Sequence, residues 1–469
     1  MVFSSVSFLF AFLPAILFAY FFISHSRIQK NYVLLLFSLA FYCWGGLRLL
    51  PLIAYSVFTN YYFGRKVSSS QRKKLWLVFA IISNLGLLFC FKYVGFFAEN
   101  LKFFIPSIPN INIVLPIGIS FYTFQGLSYV IDVYRDDAKY ESSIANVALY
   151  IVLFPQLVAG PIVRYSTIAA EIHDRKESIS EVSQGLQRFL YGLSKKVLIA
   201  NQVGQLADDV FKQNEPLLST GLVVLGILAY SAQIYFDFSG YSDMAIGLGR
   251  IFGFHFFENF NYPYISRSIT EFWRRWHISL SSWFRDYLYI PLGGNRGNAV
   301  KHIRNLLLVW GLTGIWHGAA WNFVIWGLYY GLLLILEKYL IGKLLSKIPC
   351  PLQHIYTLIL VFIGWLIFRA NNLSQLKIFL QALLGNAQDG LWNYQATYLF
   401  LQYRWDLLLA GLLSLPMYPK IKLKLQNSTS HFAASLLIWG EPLFTILLGL
   451  LSVMRLLASG FNPFIYFQF

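Results

Sequence analysis

Two histidines are the side chains of this sequence best suited to chemistry. The first, His317, lies within Thr313–Ala319, inside a long apolar stretch. Ionisable groups at membrane depth are costly and are therefore functional candidates. An imidazole accepts a proton near neutral pH, and apolar surroundings favour its neutral, basic form. His317 is thus a candidate general base, and the alternative is a buried imidazole that only bridges two helices.

The second histidine, His277, directly follows the basic and aromatic run Trp273–Trp276. The functional interpretation places it opposite His317, where it orients a substrate or contacts a reacting carbonyl group. The alternative is an interfacial histidine without a chemical role. A zinc site is not expected, because a catalytic zinc needs about three protein ligands and no acid or cysteine lies at a suitable spacing.

Basic and aromatic residues are interleaved through residues 261–304. From Arg267 to Arg304 the sequence has six arginines and one lysine against two acids. This pattern predicts amphipathic helices in the membrane interface, interrupted by a turn at 290–296, where proline and two glycines break a helix. The basic groups either set the membrane topology or bind the phosphates of a donor substrate. Arginine binds a phosphate through two parallel hydrogen bonds. They are Arg274, Arg275, Arg285, Arg296, Lys301 and Arg304.

A third group of ionisable residues lies in a largely apolar region. Asp237 and Asp243 flank Ser239 to Ser242, and Arg250 follows them. Buried carboxylates usually persist because a partner neutralises them. We therefore expect paired structural groups here, and catalytic acids are the less favoured alternative.

Composition sets the class of protein. The 469 residues are 57% hydrophobic and 12% charged, with a mean hydropathy of +0.56. A soluble domain has about 25% charged residues, so the chain has too little charge to coat a water-facing surface. Val2–Ile23 is apolar and is followed, not preceded, by basic residues, which predicts a retained first span with its N-terminus outside.

Membrane-spanning helices are therefore expected along the whole chain, because only helices or closed barrels satisfy the backbone in lipid. We predict one polytopic domain with about 11 crossings, made of N-terminal helices (1–110), a catalytic core (111–340) and C-terminal helices (341–469). The stretch from Arg304 to Glu337 is too long for one crossing and should be kinked or interrupted near His317. Two basic loops imply a hairpin around Arg48–Pro51. The candidate spans are 3–23, 31–47, 50–63, 75–91, 112–131, 145–161, 186–203, 218–236, 241–256, 305–336, 355–369, 397–415 and 434–457.

Net charge is +16, but its placement matters more than its sign. Basic clusters at 65–74 and 420–424 are typical of cytoplasmic loops of a membrane protein. Nucleic-acid binding has no supporting motif. His25, His173 and His302 lie in polar surroundings and are expected to be solvated.

Several motifs together resemble the membrane-bound O-acyltransferase family, and within it the branch that O-acetylates bacterial exopolysaccharides such as alginate. Each motif alone is weak, but the set covers most of the chain. The matching segments are Leu115–Gln125, Phe154–Ile162, Asp237–Asp243, Phe272–Ser281, Arg285–Arg296, Trp316–Ala319 and Asn462–Tyr466.

The resemblance implies an all-α membrane fold with re-entrant and interfacial helices around a central tunnel. The invariant family histidine maps onto His317 and the second polar position onto His277. The implied acyl-donor and tunnel residues are Trp273, Arg274, Arg275, Trp276, Arg285, Asp286, Asn295, Arg296, Trp316 and Asn322.

The resemblance also implies substrates and partners. The donor is acetyl-CoA or an acyl carrier, without a bound cofactor or metal. A separate extracytoplasmic acyltransferase of the SGNH/GDSL type completes the transfer from the bacterial inner membrane. An alginate-like exopolysaccharide is the expected acceptor, since the turn at 290–296 favours acetylation over teichoic-acid D-alanylation, and peptidoglycan is an alternative. A transporter without covalent chemistry and a scaffold that recruits the partner are the rival classes.

Overall fold

The computed structural model describes residues 1–109, 111, 113–213 and 217–463. These residues form helices and loops with no β-strand, which confirms the all-α prediction. Five of the helices are long and apolar enough to cross a membrane, or six if one bent pair counts as a span. The chain is therefore a multi-pass membrane protein, although the predicted total of about 11 crossings is not confirmed. Positions 464–466 of the C-terminal motif, and position 112 of one predicted span, lie outside the described residues.

Twenty-three α-helices follow one another in the described part of the chain. They are α1 (Leu13–Phe18), α2 (Arg27–Cys43), α3 (Leu50–Ser69), α4 (Lys73–Lys92), α5 (Val94–Leu101), α6 (Ile119–Tyr134), α7 (Ile144–Val152), α8 (Phe154–Leu157), α9 (Tyr165–His173), α10 (Ile179–Ser194), α11 (Asn201–Phe211), α12 (Thr220–Ile251), α13 (Ile269–Arg275), α14 (Ile278–Phe284), α15 (Ala299–His317), α16 (Trp321–Leu336), α17 (Gly342–Leu345), α18 (Cys350–Arg369), α19 (Leu373–Leu383), α20 (Tyr394–Leu413), α21 (Met417–Gln426), α22 (His431–Ser435) and α23 (Glu441–Ala458). A π-helical stretch, Lys195–Ala200, joins α10 to α11.

The chain divides into two compact units, residues 1–189 with 242–257 and residues 190–241 with 258–469. In the first unit, α3, α4 and α6 pack on one another. Asn60 on α3 and Asn84 on α4 exchange side-chain hydrogen bonds of 3.1 and 2.9 Å. Such amide pairs hold helices together where apolar attraction between them is absent, as in lipid. The expected turn lies just before Arg48–Pro51, at residues 44–46, where the segments Arg27–Cys43 and Leu47–Ser69 are bent by 114°.

Two predicted spans, 218–236 and 241–256, are wrong, since one helix of 32 residues, α12, replaces both. The polar residues between them suggested a break. Instead, Asp237 pairs with Lys196 at 2.8 Å, and Asp243 pairs with Arg188 at 2.6 Å. Because basic side chains from another part of the chain neutralise these two carboxylates, the backbone continues as a helix. These pairs also agree with the expectation that both aspartates are paired structural groups.

The start of α6 also differs from the prediction, since the helix begins at Ile119 and not at residue 112. Gly118 has a φ of 75°, a left-handed conformation that glycine adopts readily. Pro116 precedes it, and proline disfavours helix continuation around it. The apolar run is therefore longer than its helix.

The predicted interruption of the helix near His317 is present, and only the reversal of the chain there was not predicted. The chain reverses between α15 and α16, which pack against each other as an antiparallel helical hairpin. A Cβ at Gly314 would lie 2.3 Å from the carbonyl oxygen of Phe323, and one at Gly327 would lie 2.3 Å from that of Trp310. Only glycine allows the two backbones to approach so closely. His317 is therefore at the closed end of a hairpin and not in the middle of a kinked span.

The basic and aromatic stretch folds as predicted into short helices and a turn. Ser268 caps α13 by accepting a hydrogen bond from the Glu271 amide. A turn follows α14 and its π-helical extension, and Gly293 and Gly294 have φ values of 100° and 58°. Asn298 then caps α15. Local sequence signals thus set the start of the two helices that border the site.

Candidate active site

His317 is the last residue of α15 and is 9% exposed. Aromatic rings surround its imidazole. The ring centroids of Trp316, Trp326 and Phe368 lie 5.0, 5.0 and 5.3 Å away. An imidazole packed among rings loses hydration, which favours the neutral form that a general base requires.

His277 precedes α14 and is 1% exposed. Its φ of 44° is unusual for a residue with a side chain. Its Nδ1 lies 3.1 Å from Oδ1 of Asn259, which also accepts hydrogen bonds from the amide and hydroxyl groups of Ser279. Because Oδ1 is an acceptor in this group, Nδ1 carries the proton and Nε2 is left as the acceptor nitrogen.

The structure brings the two histidines together. The indole of Trp316 lies 6.3 Å from the His277 ring and 5.0 Å from the His317 ring, between centroids. Burial lowers the pKa of His277 well below its ordinary value, and the nearby His317 lowers it further. Two neutral imidazoles in an apolar site can accept and return protons without a stable buried charge.

A cavity of about 620 Å³ is lined by parts of α13, α14, α15 and α16, and neither His277 nor His317 is among its lining residues. Its wall on α15 follows one helical face from His302 to Thr313, and His317 is the next position on that face, about 6 Å further along the axis. The cavity carries positive groups from three elements. Its charged lining residues are Arg267, Arg274, Arg285, Lys338 and the single carboxylate Glu337.

The predicted donor and tunnel residues divide into two groups. Trp273, Arg274, Arg285 and Asn295 line the cavity. The other predicted residues do not. They are Arg275, Trp276, Asp286, Arg296, Trp316 and Asn322.

Several residues of the second group have other partners. Arg275 pairs with Glu271 at 2.9 Å. The Asn322 amide donates to the carbonyl oxygens of Phe368 and Ala370 at 3.4 and 3.0 Å, which ties α16 to the end of α18. Arg275 thus makes an ion pair within α13, and Asn322 holds two helices together, so neither side chain lines the cavity.

Comparison with known proteins identifies the family of the chain. The family model of the membrane-bound O-acyltransferases matches residues 49–374. The chain belongs to the membrane-bound O-acyltransferase family. It is 40% identical to a probable alginate O-acetylase of Azotobacter vinelandii over the full length of both chains. A probable alginate O-acetylase of Pseudomonas aeruginosa is 46% identical over 80% of this chain and 73% of its own.

A peptidoglycan O-acetyltransferase of Helicobacter pylori is 36% identical over 82% of this chain and 80% of its own. Relatives of two named specificities thus align with most of this sequence. The chain is therefore a membrane O-acyltransferase, and its acceptor has to be inferred separately.

One prediction about the site of this acyltransferase is wrong. His302 was expected to be solvated, but it is 7% exposed, lines the cavity and lies 2.6 Å from the hydroxyl of Tyr339 through Nδ1. The residues on either side of it in the sequence are polar, which suggested exposure. The helical spacing of His302, Leu306, Val309 and Thr313 would have placed it on the cavity face.

Lys338 and Glu337 were not predicted as site residues either. Both follow α16 and line the cavity, because the hairpin returns the end of α16 to the start of α15. No periodicity in the sequence predicts that the end of α16 lies near the start of α15. Among the described residues, no group of three or more His, Cys, Asp or Glu side chains could hold a metal ion.

Proposed function

We propose that this chain transfers an acetyl group from acetyl-CoA to a hydroxyl acceptor, with His317 as the general base. The observation that carries the proposal is the cavity, which has four basic lining side chains and a largely apolar wall on α15 that ends at Thr313, about one helical turn before His317. Its volume of about 620 Å³ lies in the usual range for ligand pockets, about 300–1,000 Å³.

The donor fits this cavity by charge and shape. Arg267, Arg274, Arg285 and Lys338 suit the phosphates of coenzyme A, since arginine and lysine bind phosphate through charge-assisted hydrogen bonds. The inner wall is apolar and suits the uncharged arm that carries the thioester. The basic part of the cavity is thus complementary to the phosphates of acetyl-CoA, and the apolar part is complementary to its thioester arm.

The chemistry then needs one base. His317 takes the proton from the acceptor hydroxyl, and that oxygen attacks the thioester carbonyl. The carbon–sulfur bond breaks, and the thiolate leaves with the proton that His317 returns. His277, with Nε2 as acceptor, is suited to hold the hydroxyl group in place more than to donate to the carbonyl oxygen.

Charge distribution supports a direction of transfer. Basic residues stand at both free ends of the α15–α16 hairpin, with Lys301 and Arg304 on one arm and Lys338 and Lys343 on the other. Such residues favour the cytoplasmic side of the inner membrane. The donor therefore enters from the cytoplasm, and the acetyl group leaves towards the outside.

The acceptor is an extracytoplasmic polysaccharide, by analogy with the named relatives. An alginate-like exopolysaccharide is favoured because the relatives with the highest identities quoted above carry that name. A separate extracytoplasmic acyltransferase of the SGNH/GDSL type completes attachment. The similarity to a peptidoglycan O-acetyltransferase supports peptidoglycan as the second candidate.

The test uses purified full-length protein in lipid vesicles with radiolabelled acetyl-CoA. We expect release of CoA and, with alginate oligosaccharides and the partner, labelled ester. If acetyl-CoA stays intact under all conditions, the proposed acetyl transfer is contradicted, and the chain would be a transporter or a scaffold. Label that appears only on peptidoglycan fragments would reassign the acceptor.

A further inference from the structure

Glu337 is a buried carboxylate in a cavity whose other charged lining groups are cations. It directly follows α16 and is 6% exposed. Its Oε1 accepts a hydrogen bond from the backbone N–H of Ile269 at 2.6 Å. Its Oε2 accepts from the N–H and the hydroxyl of Thr270 at 2.9 and 2.7 Å. The hydroxyl of Tyr356 adds a longer contact of 3.4 Å to Oε1.

The partners of Glu337 are two backbone N–H groups and two hydroxyls, and they belong to other helices. Ile269 and Thr270 are the first two residues of α13, whose N–H groups have no partner within their own helix. A carboxylate at this position bonds both donors and also interacts favourably with the positive end of the helix. Tyr356 belongs to α18. One side chain therefore joins the hairpin to α13 and α18.

These helices carry the groups that shape the cavity. One turn after Thr270, α13 presents Trp273 and Arg274 to the cavity. The Trp273 ring packs against Tyr330 and Trp326 of α16 at 4.8 and 5.5 Å between centroids. The Trp326 ring in turn lies 5.0 Å from that of His317. A shift of α13 would therefore move a phosphate-binding arginine and the aromatic wall next to the catalytic base.

We infer that Glu337 is a positioning residue for the acyl donor, which sets the place of Trp273 and Arg274 by holding the start of α13. This inference rests on the proposed function. Glu337 does not touch the reacting atoms in this scheme. Its role is to fix the donor site, so its loss should act on donor binding before it acts on the chemical step.

The test compares steady-state kinetics of acetyl-CoA consumption by full-length variants in vesicles. Glu337→Gln keeps the size of the side chain but turns an NH2 group towards N–H donors. We expect the KM for acetyl-CoA to rise about tenfold or more, with kcat within about threefold of the wild type. Glu337→Asp retains the charge and should recover part of the affinity. Thr270→Val, which removes one of the hydrogen bonds, should raise KM in the same direction but less.

The matched control is Glu271→Gln, the same substitution on the same helix. Glu271 is partly exposed, pairs with Arg275 and accepts a hydrogen bond from the N–H of Arg267, and glutamine can replace glutamate in this capping position. Its KM should stay near that of the wild type. Melting temperatures of all variants report the purely structural part of each change.

Two results would overturn the inference. One is a Glu337→Gln enzyme with a lowered melting temperature but an unchanged KM, and the other is an equal rise of KM in Glu271→Gln. If Glu337→Gln does not fold, an unchanged KM in Thr270→Val has the same meaning. Failure of the wild type to consume acetyl-CoA would instead contradict the proposed function, so the two failures are distinguishable.

Discussion

The Lys196–Asp237 pair and the two histidines His277 and His317 are buried ionisable groups of the same helical unit, yet their surroundings differ. Lys196 and Asp237 are 3% and 1% exposed and lie 2.8 Å apart. Lys196 also donates to the carbonyl oxygen of Pro463. The two charges of the pair thus neutralise each other, and the segment Phe461–Pro463 lies against Lys196.

The histidines instead lie among aromatic rings, and His317 is about one helical turn beyond Thr313, which lines the cavity. Their nearest ring neighbours carry no charge that would fix a proton on either imidazole. Burial alone therefore does not distinguish an active site from a structural pair. What distinguishes it is the combination of a neutral, proton-accepting group with a cavity through which a substrate can arrive.

The largest difference between the two groups is expected when His317 is replaced. In His317→Ala we expect acetyl transfer to fall by about 100- to 10,000-fold, the usual contribution of a general base. The melting temperature should fall less than in a variant that strands a buried charge, because alanine leaves no charged group behind. Turnover of labelled acetyl-CoA and a thermal unfolding scan measure the two effects. Wild-type turnover in this variant would remove His317 from the mechanism.

Lys196→Met should show the opposite pattern. It leaves the Asp237 carboxylate buried without its partner, which typically costs about 3–5 kcal/mol. We expect a large fall in melting temperature with normal turnover per folded molecule. The double variant Lys196→Met/Asp237→Leu should recover most of the loss, because both charges are then absent. A double variant no more stable than the single one would contradict this account of the pair.

Arg274→Gln tests the cationic side of the cavity. Removing one of the charges that we propose to bind phosphate should raise the KM for acetyl-CoA by about 3- to 30-fold and weaken its dependence on salt. The control is Lys420→Gln, the same loss of charge in an exposed basic segment outside the cavity. Equal KM values in the two variants would show that Arg274 acts only through overall charge.

The smallest effect is expected from His302. Burial, and then the neighbouring Lys338, lower the pKa of His302 from its ordinary value, so its imidazole is neutral at pH 7. As the pH falls below this lowered pKa, the imidazole gains a proton, which adds positive charge to the cavity and should lower the KM for an anionic donor about twofold. In His302→Gln this fall in KM between pH 7 and 5 should disappear. A persisting fall would place the titrating group elsewhere.

Some elements of the site were predictable from local residues. Proline and glycine foretold the turn at 290–296, because their backbone preferences do not depend on distant contacts. The position of His317 at a helix break followed from glycines beside it. His302 was misjudged because its sequence neighbours are polar, although the face of a helix, and not its neighbours in sequence, decides exposure.

The prediction of two spans in place of α12 was wrong for a related reason. Asp237 and Asp243 looked like a polar interruption, and their partners Lys196 and Arg188 lie far from them in the sequence. A charge that is neutralised by a neighbouring helix leaves the helix intact. Such partners cannot be identified from hydropathy alone.

The sequence by itself determined an all-helical membrane protein of this family, a helix break at His317 and the turn after α14, because hydropathy, glycine and proline act over a few residues. Only the tertiary structure decided that α15 and α16 form a hairpin, that His302 and Lys338 face one cavity, and that Glu337 holds the start of α13. The physical reason is that these arrangements depend on contacts between residues as far apart as Ile269 and Glu337, which close packing of helices brings together.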